Sequence, residues 1–339
     1  MNINNLMDKK ILFITPAFFN YYINIINGLE SKGAKVYLIN EDFAQTSYLY
    51  KFFFRKNEIK KFKYADKKIL NELKKINEII DIVFVLKGEA ISTNIMDFLK
   101  KKYPIATYIM YQWDSVNNNP NAINIARYFD KIFTFDPYDA KENGWEYRPL
   151  FYMEKSCNPH TKKDIQLAMI GTLYYKRVMV LEKSITICEK FNYSMIKYLY
   201  VNKAEYYLHK YILHDDRYRA RIKDGIQFKP LPQDKIDKIY DRTMALIDYT
   251  VEGQSGLTMR TVEAAGHHCK IITNNRSILD TGLYNENNVY IYDLDNFEIP
   301  LEFMEKPYKE LNKEVYRYYS LEGWIESVFM KGKKNDFKI

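Results

Sequence analysis

The stretch Met244 to Asn274, MALIDYTVEGQSGLTMRTVEAAGHHCKIITN, decides the reading of the fold. It runs as an apolar strand, a Gly- and Ser-containing loop, a short helix carrying Glu263, a stop at Gly266 and a second β-branched strand. Strand, loop, helix and strand in that order make a parallel crossover unit. In a parallel sheet the loop and the helix N-terminus stand at the carboxyl edge of the strands, where backbone N–H groups point at whatever binds; such a unit is suited to a phosphate.

Working outward, the same alternation recurs on both sides. In the first half, Lys10 to Thr15 is a β-rich run closed by Pro16. A helical stretch from about Asn20 to Ser31, a Gly33 stop and a strand from Val36 to Ile39 follow. Helix Asp66 to Ile80 then leads into strand Ile82 to Leu86, helix Thr93 to Lys102 into strand Ile105 to Tyr111, and an Asn-rich loop into strand Lys131 to Phe135. Prolines and small polar residues between Arg148 and Lys163 break the periodicity. Beyond them come strand Asp164 to Ile170, a helix with Val178, Leu181, Ile185 and Cys188 on one side, and strand Met195 to Val201. A polar helix from about Lys203 to Lys223, the segment Ile226 to Pro232, and a helix from Gln233 to Arg242 complete the approach to the opening stretch.

Strands alternating with helices of ten or more residues predict an α/β chain of two doubly wound, Rossmann-like parallel sheets. The expected division is 1–150, a linker at 151–163, a second domain at 164–314, a C-terminal helical region at 315–330 that packs back on the first domain, and a basic tail at 331–339. A length of 339 residues suits two domains.

Composition narrows the class. Hydrophobic residues at 47% and charged residues at 28% describe a globular chain rather than a disordered one. Three widely spaced cysteines argue against a disulfide framework and against a zinc site, which suggests a reduced, cytoplasmic protein. No run approaches the roughly 18 apolar residues of a membrane span. The net charge of +8 is spread along helical faces, including Lys67, Lys68 and Lys100 to Lys102, rather than gathered in one run. Solvated faces are the plain reading and no nucleic-acid partner is expected; weak association with the anionic inner face of a membrane is the sharper alternative.

Two Rossmann-like halves would face one another across a cleft lined by strand-end loops. In the first half those loops carry Phe18 and Phe19, Lys87 and Glu89, Trp113 and Asp114, and Asp136. A carboxylate at a strand's carboxyl end can serve as a base or a hydroxyl ligand, and Asp114 is the candidate base. The simpler alternative for Asp114 is an Asx-turn, and for Asp136, followed by Pro137, a helix N-cap. In the second half Gly171 and Arg177 could meet a diphosphate. Ser255, Gly256, Leu257 and Thr258 place small residues and hydroxyls at a helix start. Arg260 puts a positive charge in the first turn, unfavourable for the helix dipole without a nearby anion. Glu263 could accept both ribose hydroxyls. Asp293–Leu294–Asp295 and His267–His268 are weak metal patterns, so no metal is expected, and the P-loop, nucleophile-elbow and G-x-G-x-x-G fingerprints do not occur.

The run Glu252–Gly253 to Gly256, then Glu263–Ala264–Ala265–Gly266 and Lys270 to Thr273, resembles the donor motif of GT-B glycosyltransferases. Phe13 to Phe19, Trp113–Asp114–Ser115 and Ser255 to Glu263 further resemble the CgeB-like and the bacterial capsule and lipopolysaccharide transferases. The resemblance implies a nucleotide-diphosphate sugar as donor substrate with no separate cofactor. It also implies a surface-polysaccharide or lipid-linked glycan acceptor, with Glu263 on the ribose and Gly256, Leu257 and Thr258 at the diphosphate or sugar. Gly171 and Arg177 would meet the same phosphates. Two departures stand out. The closing glycine comes one residue early, at Gly266, and the position that carries a second glutamate in many retaining members, separated from Glu263 by seven residues, is Ser255. A sugar-nucleotide epimerase of the same layout and a non-catalytic sugar- or polyanion-binding module are the rival readings.

Overall fold

The computed structural model describes residues 5–17, 21–41, 58–212 and 225–330, with the side chains of 58–61 and 63 set aside. The expected residues Phe18 and Phe19, the basic tail and most of the polar helix expected up to Lys223 lie outside these. Within the described part, that helix is a single turn, Lys203–Tyr207, running into a wider turn at Leu208–Ile212.

The chain forms two compact units. Among the described residues, the first takes the chain to Leu150, together with Gly253–Gly256 and Leu321 to Met330. Its sheet contains β1 (Lys10–Thr15), β2 (Lys35–Asn40), β3 (Ile82–Leu86), β4 (Thr107–Gln112), β5 (Lys131–Thr134) and the short β6 (Glu146–Tyr147). They lie in the order β2-β1-β3-β4-β5-β6 and every pairing is parallel. All five residues of β3 are buried, as a central strand covered on both faces requires.

One face of this sheet packs Leu12, Val83, Val85 and Met110 against Ile69, Leu73, Ile95 and Leu99 of the helices Glu58–Lys75 and Thr93–Lys102. On another side Phe13 stacks on Phe84 with centroids 4.9 Å apart. Trp324 and Phe329 of the last helix, Leu321–Phe329, meet Tyr111 and Phe84 at 4.8 and 4.7 Å. Gly28 lets that helix come close, because a Cβ there would fall 2.4 Å from Ile325 Cδ1.

The second unit holds β7 (Ile165–Thr172), β8 (Met195–Tyr200), β9 (Ile226–Gln227), β10 (Thr243–Asp248), β11 (Lys270–Thr273) and β12 (Val289–Ile291). Their order is β12-β11-β10-β7-β8-β9, again all parallel. Counted from β7 this is 3-2-1-4-5-6, the dinucleotide-binding arrangement, whereas the first sheet follows the related 2-1-3-4-5 pattern with one more strand. Both halves therefore carry the doubly wound α/β architecture expected from the alternation of elements. No helix among the described residues is long and apolar enough to cross a membrane.

Candidate functional site

In an open parallel sheet ligands bind beyond the carboxyl ends of the strands, where the strand order reverses. In the second unit that point lies between β7 and β10. β7 ends in Gly171 and Thr172, β10 ends in Asp248, and the helix Met259–Gly266 starts beyond it. Four of the residues meeting here carry charge or make room for it. A Cβ on Gly171 would lie 3.2 Å from Arg260 Nε and Nη2 and 3.3 Å from Arg177 Nη1, so both guanidinium groups press on the bare glycine. Arg177 is held by Thr172, its Nη1 donating to the carbonyl (2.8 Å) and the hydroxyl (2.9 Å), and by the Tyr249 carbonyl (3.1 Å). Burial and then neighbouring Arg260 pull its pKa down to about 10, so it stays charged at neutral pH. Arg260 Nε donates to the Ile170 carbonyl at 2.5 Å.

Asp248 explains how Arg260 is tolerated in a first helical turn. Only 1% exposed, it receives the Thr258 hydroxyl (2.7 Å) and the Thr261 hydroxyl (3.1 Å) on Oδ2. Its Oδ1 lies 4.0 Å from Arg260 Nη1 and has no hydrogen-bond partner among the described residues. Two guanidinium groups thus face one carboxylate, leaving a positive balance at the switch point. Thr258 is the helix N-cap, accepting from Thr261 N–H at 3.3 Å, so its hydroxyl is committed to the protein.

The other expected donor contacts are placed differently. Leu257 is buried. The N–H groups of Ser255 and Gly256 both donate to Asp136 Oδ2, at 2.9 and 3.0 Å, and the Ser255 hydroxyl bonds Asp136 Oδ1. Gly256 has no room for a side chain, since a Cβ would fall 2.5 Å from the Phe135 ring. These amides are therefore spent within the first unit and do not point at a diphosphate in this structure. Glu263 is 6% exposed and accepts from Gln233 Nε2 at 3.4 Å. Gln233, at the start of the helix Gln233–Arg242, also bonds Asp237 at 2.9 Å. Its nearness to Glu263 is a tertiary fact that the sequence does not signal.

In the first unit, Lys87 Nζ sits 2.9 Å from Glu89 and 3.3 Å from Asp114. Desolvation lowers the ammonium's pKa, but the two carboxylates outweigh it and the net shift is upward. Asp114 Oδ1 also accepts from Asn118 Nδ2 at 3.0 Å. Trp113 meets Tyr21 edge-on at 6.3 Å. Asp136, expected among the cleft-lining residues with a helix N-cap as the simpler alternative, is buried, caps the helix Pro137–Asn143 by accepting from Tyr138 N–H, and takes the bonds from Ser255 and Gly256. Its role is that of a cap, because its carboxylate oxygens already have protein donors.

No family model and no curated relative matches the chain. Solved structures do. The Anabaena protein HepE in complex with UDP and glucose is similar at 10% identity and a TM-score of 0.59, covering 94% of this chain and 98% of its own. A putative UDP-N-acetylglucosamine 2-epimerase from Listeria monocytogenes reaches 0.57 at 13% identity, covering 98% and 100%. A glycosyltransferase from Rickettsia africae reaches 0.53 at 11% identity, covering 95% and 94%. The fold is of the GT-B type. At these identities the likeness speaks for architecture, and the chemistry rests on the residues.

Proposed function

We propose that this protein transfers a sugar from a nucleoside-diphosphate donor, and that the second unit holds the donor. The observation that carries the reading is the pair Arg177 and Arg260 converging on side-chain-free Gly171 at the switch point of a 3-2-1-4-5-6 sheet. A departing diphosphate gathers negative charge as the glycosidic bond breaks, and preorganised guanidinium groups stabilise that charge. Glu263 and Gln233 would hold the ribose. The similarity to HepE in complex with UDP and glucose supports a UDP-sugar.

The first unit's Lys87, Glu89 and Asp114 would handle an acceptor hydroxyl. Asp114 acts as general base if the reaction inverts the anomeric centre and only orients the acceptor if it retains it. A surface-polysaccharide or lipid-linked glycan acceptor is supported by the sequence resemblance, and a lipid-linked one would bring the protein to the inner face of a membrane.

Titration calorimetry with UDP, GDP, CMP and dTDP and their sugar conjugates tests the donor site. Absence of binding by any of them refutes it. Sugar-nucleotide epimerisation is a second reading, favoured by the similarity to the Listeria structure described as a putative epimerase. Incubation with donor alone separates the two: conversion of the intact sugar nucleotide without acceptor points to epimerisation, and dependence on a glycan acceptor points to transfer.

A further inference from the structure

Glu41 stands one residue past β2 and crosses the switch point of the first sheet. Its N–H donates to the Thr15 carbonyl at the end of β1 at 3.0 Å. Its carboxylate accepts from Gly88 N–H on Oε1 and from Ala90 N–H on Oε2, both at 3.0 Å, in the turn after β3. One residue thereby ties together the carboxyl ends of three adjacent strands, β2, β1 and β3, its backbone N–H reaching β1 and its carboxylate the turn after β3.

The turn it grips is a strained one. Lys87 has φ of +72° and Gly88 of +69°. A side-chain-bearing residue persists in that left-handed region only where its surroundings over-determine it, and such positions cluster at functional sites. The Lys87 carbonyl is fixed from the opposite side by Gln112 Nε2 and Asn119 Nδ2, each at 2.8 Å. From this backbone the Lys87 ammonium reaches Glu89 and Asp114.

We propose that Glu41 is a positioning residue for this cluster: by accepting both turn amides it holds Lys87 left-handed and so sets the ammonium between Glu89 and Asp114. Its consequence for turnover rests on the proposed transferase reading; the clamp itself does not. Burial pushes the Glu41 carboxyl up to about 7; the Ala90 amide opposes this, Glu89 adds to it, and Lys87 and the Gly88 amide oppose it. Among the described residues, Lys87 and Glu89 are the charged groups facing it. As a carboxylate Glu41 accepts both N–H groups; protonated, it turns one acceptor into a donor and the clamp weakens.

Full-length Glu41→Gln and Glu41→Ala variants test this with two sets of measurements. Amide hydrogen exchange at Gly88 and Ala90 should speed up at least tenfold, and the Lys87 signal of reductively ¹³C-methylated protein should titrate closer to the other lysines. With a donor and acceptor that give turnover, kcat should fall roughly 10- to 100-fold while donor KM and UDP affinity stay put. The loss of rate as pH drops through about 7 should disappear from the pH profile, with Gln milder than Ala. Unchanged exchange and unchanged Lys87 titration in both variants overturn the proposal, and so does altered exchange with wild-type kcat and pH profile. If the wild type turns over no donor, the transferase reading fails while exchange and titration still decide the clamp.

Discussion

Arg177 and Arg260 both press on Gly171, yet their surroundings assign them different work. Arg177 is buried and bound to two carbonyls and a hydroxyl, so it builds the floor of the site. Arg260 is more exposed and makes one carbonyl bond, so it is the more available cation. Arg260→Ala should weaken UDP binding about 10- to 100-fold by calorimetry, the scale of a lost charge-assisted hydrogen bond, with little change in Tm. Arg177→Met should instead destabilise the fold by about 2 kcal/mol in urea titrations, because it leaves buried carbonyls unpaired.

Glu41 supplies a pH signature at the same scale. Its folded pKa, about 7, lies above the value of 4.5 for a free side chain. The protonated form is therefore favoured by folding, and that stabilisation is complete below about 4.5 and lost as pH rises through about 7. Urea titrations at pH 5 and pH 8 should show wild type losing on the order of 2–3 kcal/mol more than Glu41→Gln over that interval. Parallel curves for the two proteins would show that Glu41 does not titrate there.

At the scale of elements, the helix Met259–Gly266 shows what residue size sets. Thr261 to Gly266 are all buried, and a Cβ on Gly266 would lie 2.5 Å from the Tyr152 ring. Gly266→Ala should cost about 1–3 kcal/mol by thermal melting despite alanine's better helix propensity, since an aromatic ring wedged in a core yields little. The small residues Ala264, Ala265 and Gly266 leave room for this close packing. The orientation of the loop ahead of the helix is not signalled in the sequence. Ser255 and Gly256 are expected in the donor site, but the carboxylate that takes their N–H groups, Asp136, lies more than a hundred residues upstream.

At the scale of the molecule, the chain returns to its first unit at Leu321 after building the second. Trp324 is fully buried there, against Tyr111, Phe84 and Phe329. Trp324→Ala should destabilise the first unit by about 3–5 kcal/mol, the range for emptying a large aromatic site. UDP should still raise the Tm of the second unit's transition, because the residues proposed to hold the donor belong to that unit. Loss of nucleotide binding in a variant whose second transition is intact would contradict that assignment.

The sequence by itself determined the two parallel sheets, because strands buried on both faces and amphipathic helices leave periodic traces that depend on near neighbours alone. It also marked Gly171, Arg177, Arg260 and Asp114 as residues of interest, since each stands at or just past a strand end or in a first helical turn. Glu41 and Asp248 occupy strand ends too, but each becomes distinctive only through distant partners: the Gly88 and Ala90 amides for one, Arg260 and two threonine hydroxyls for the other. Only the tertiary structure decided which polar atoms remain for a ligand. Hydrogen bonds join groups far apart in sequence, and a donor already spent on Asp136 looks the same in the chain as one left open for a phosphate.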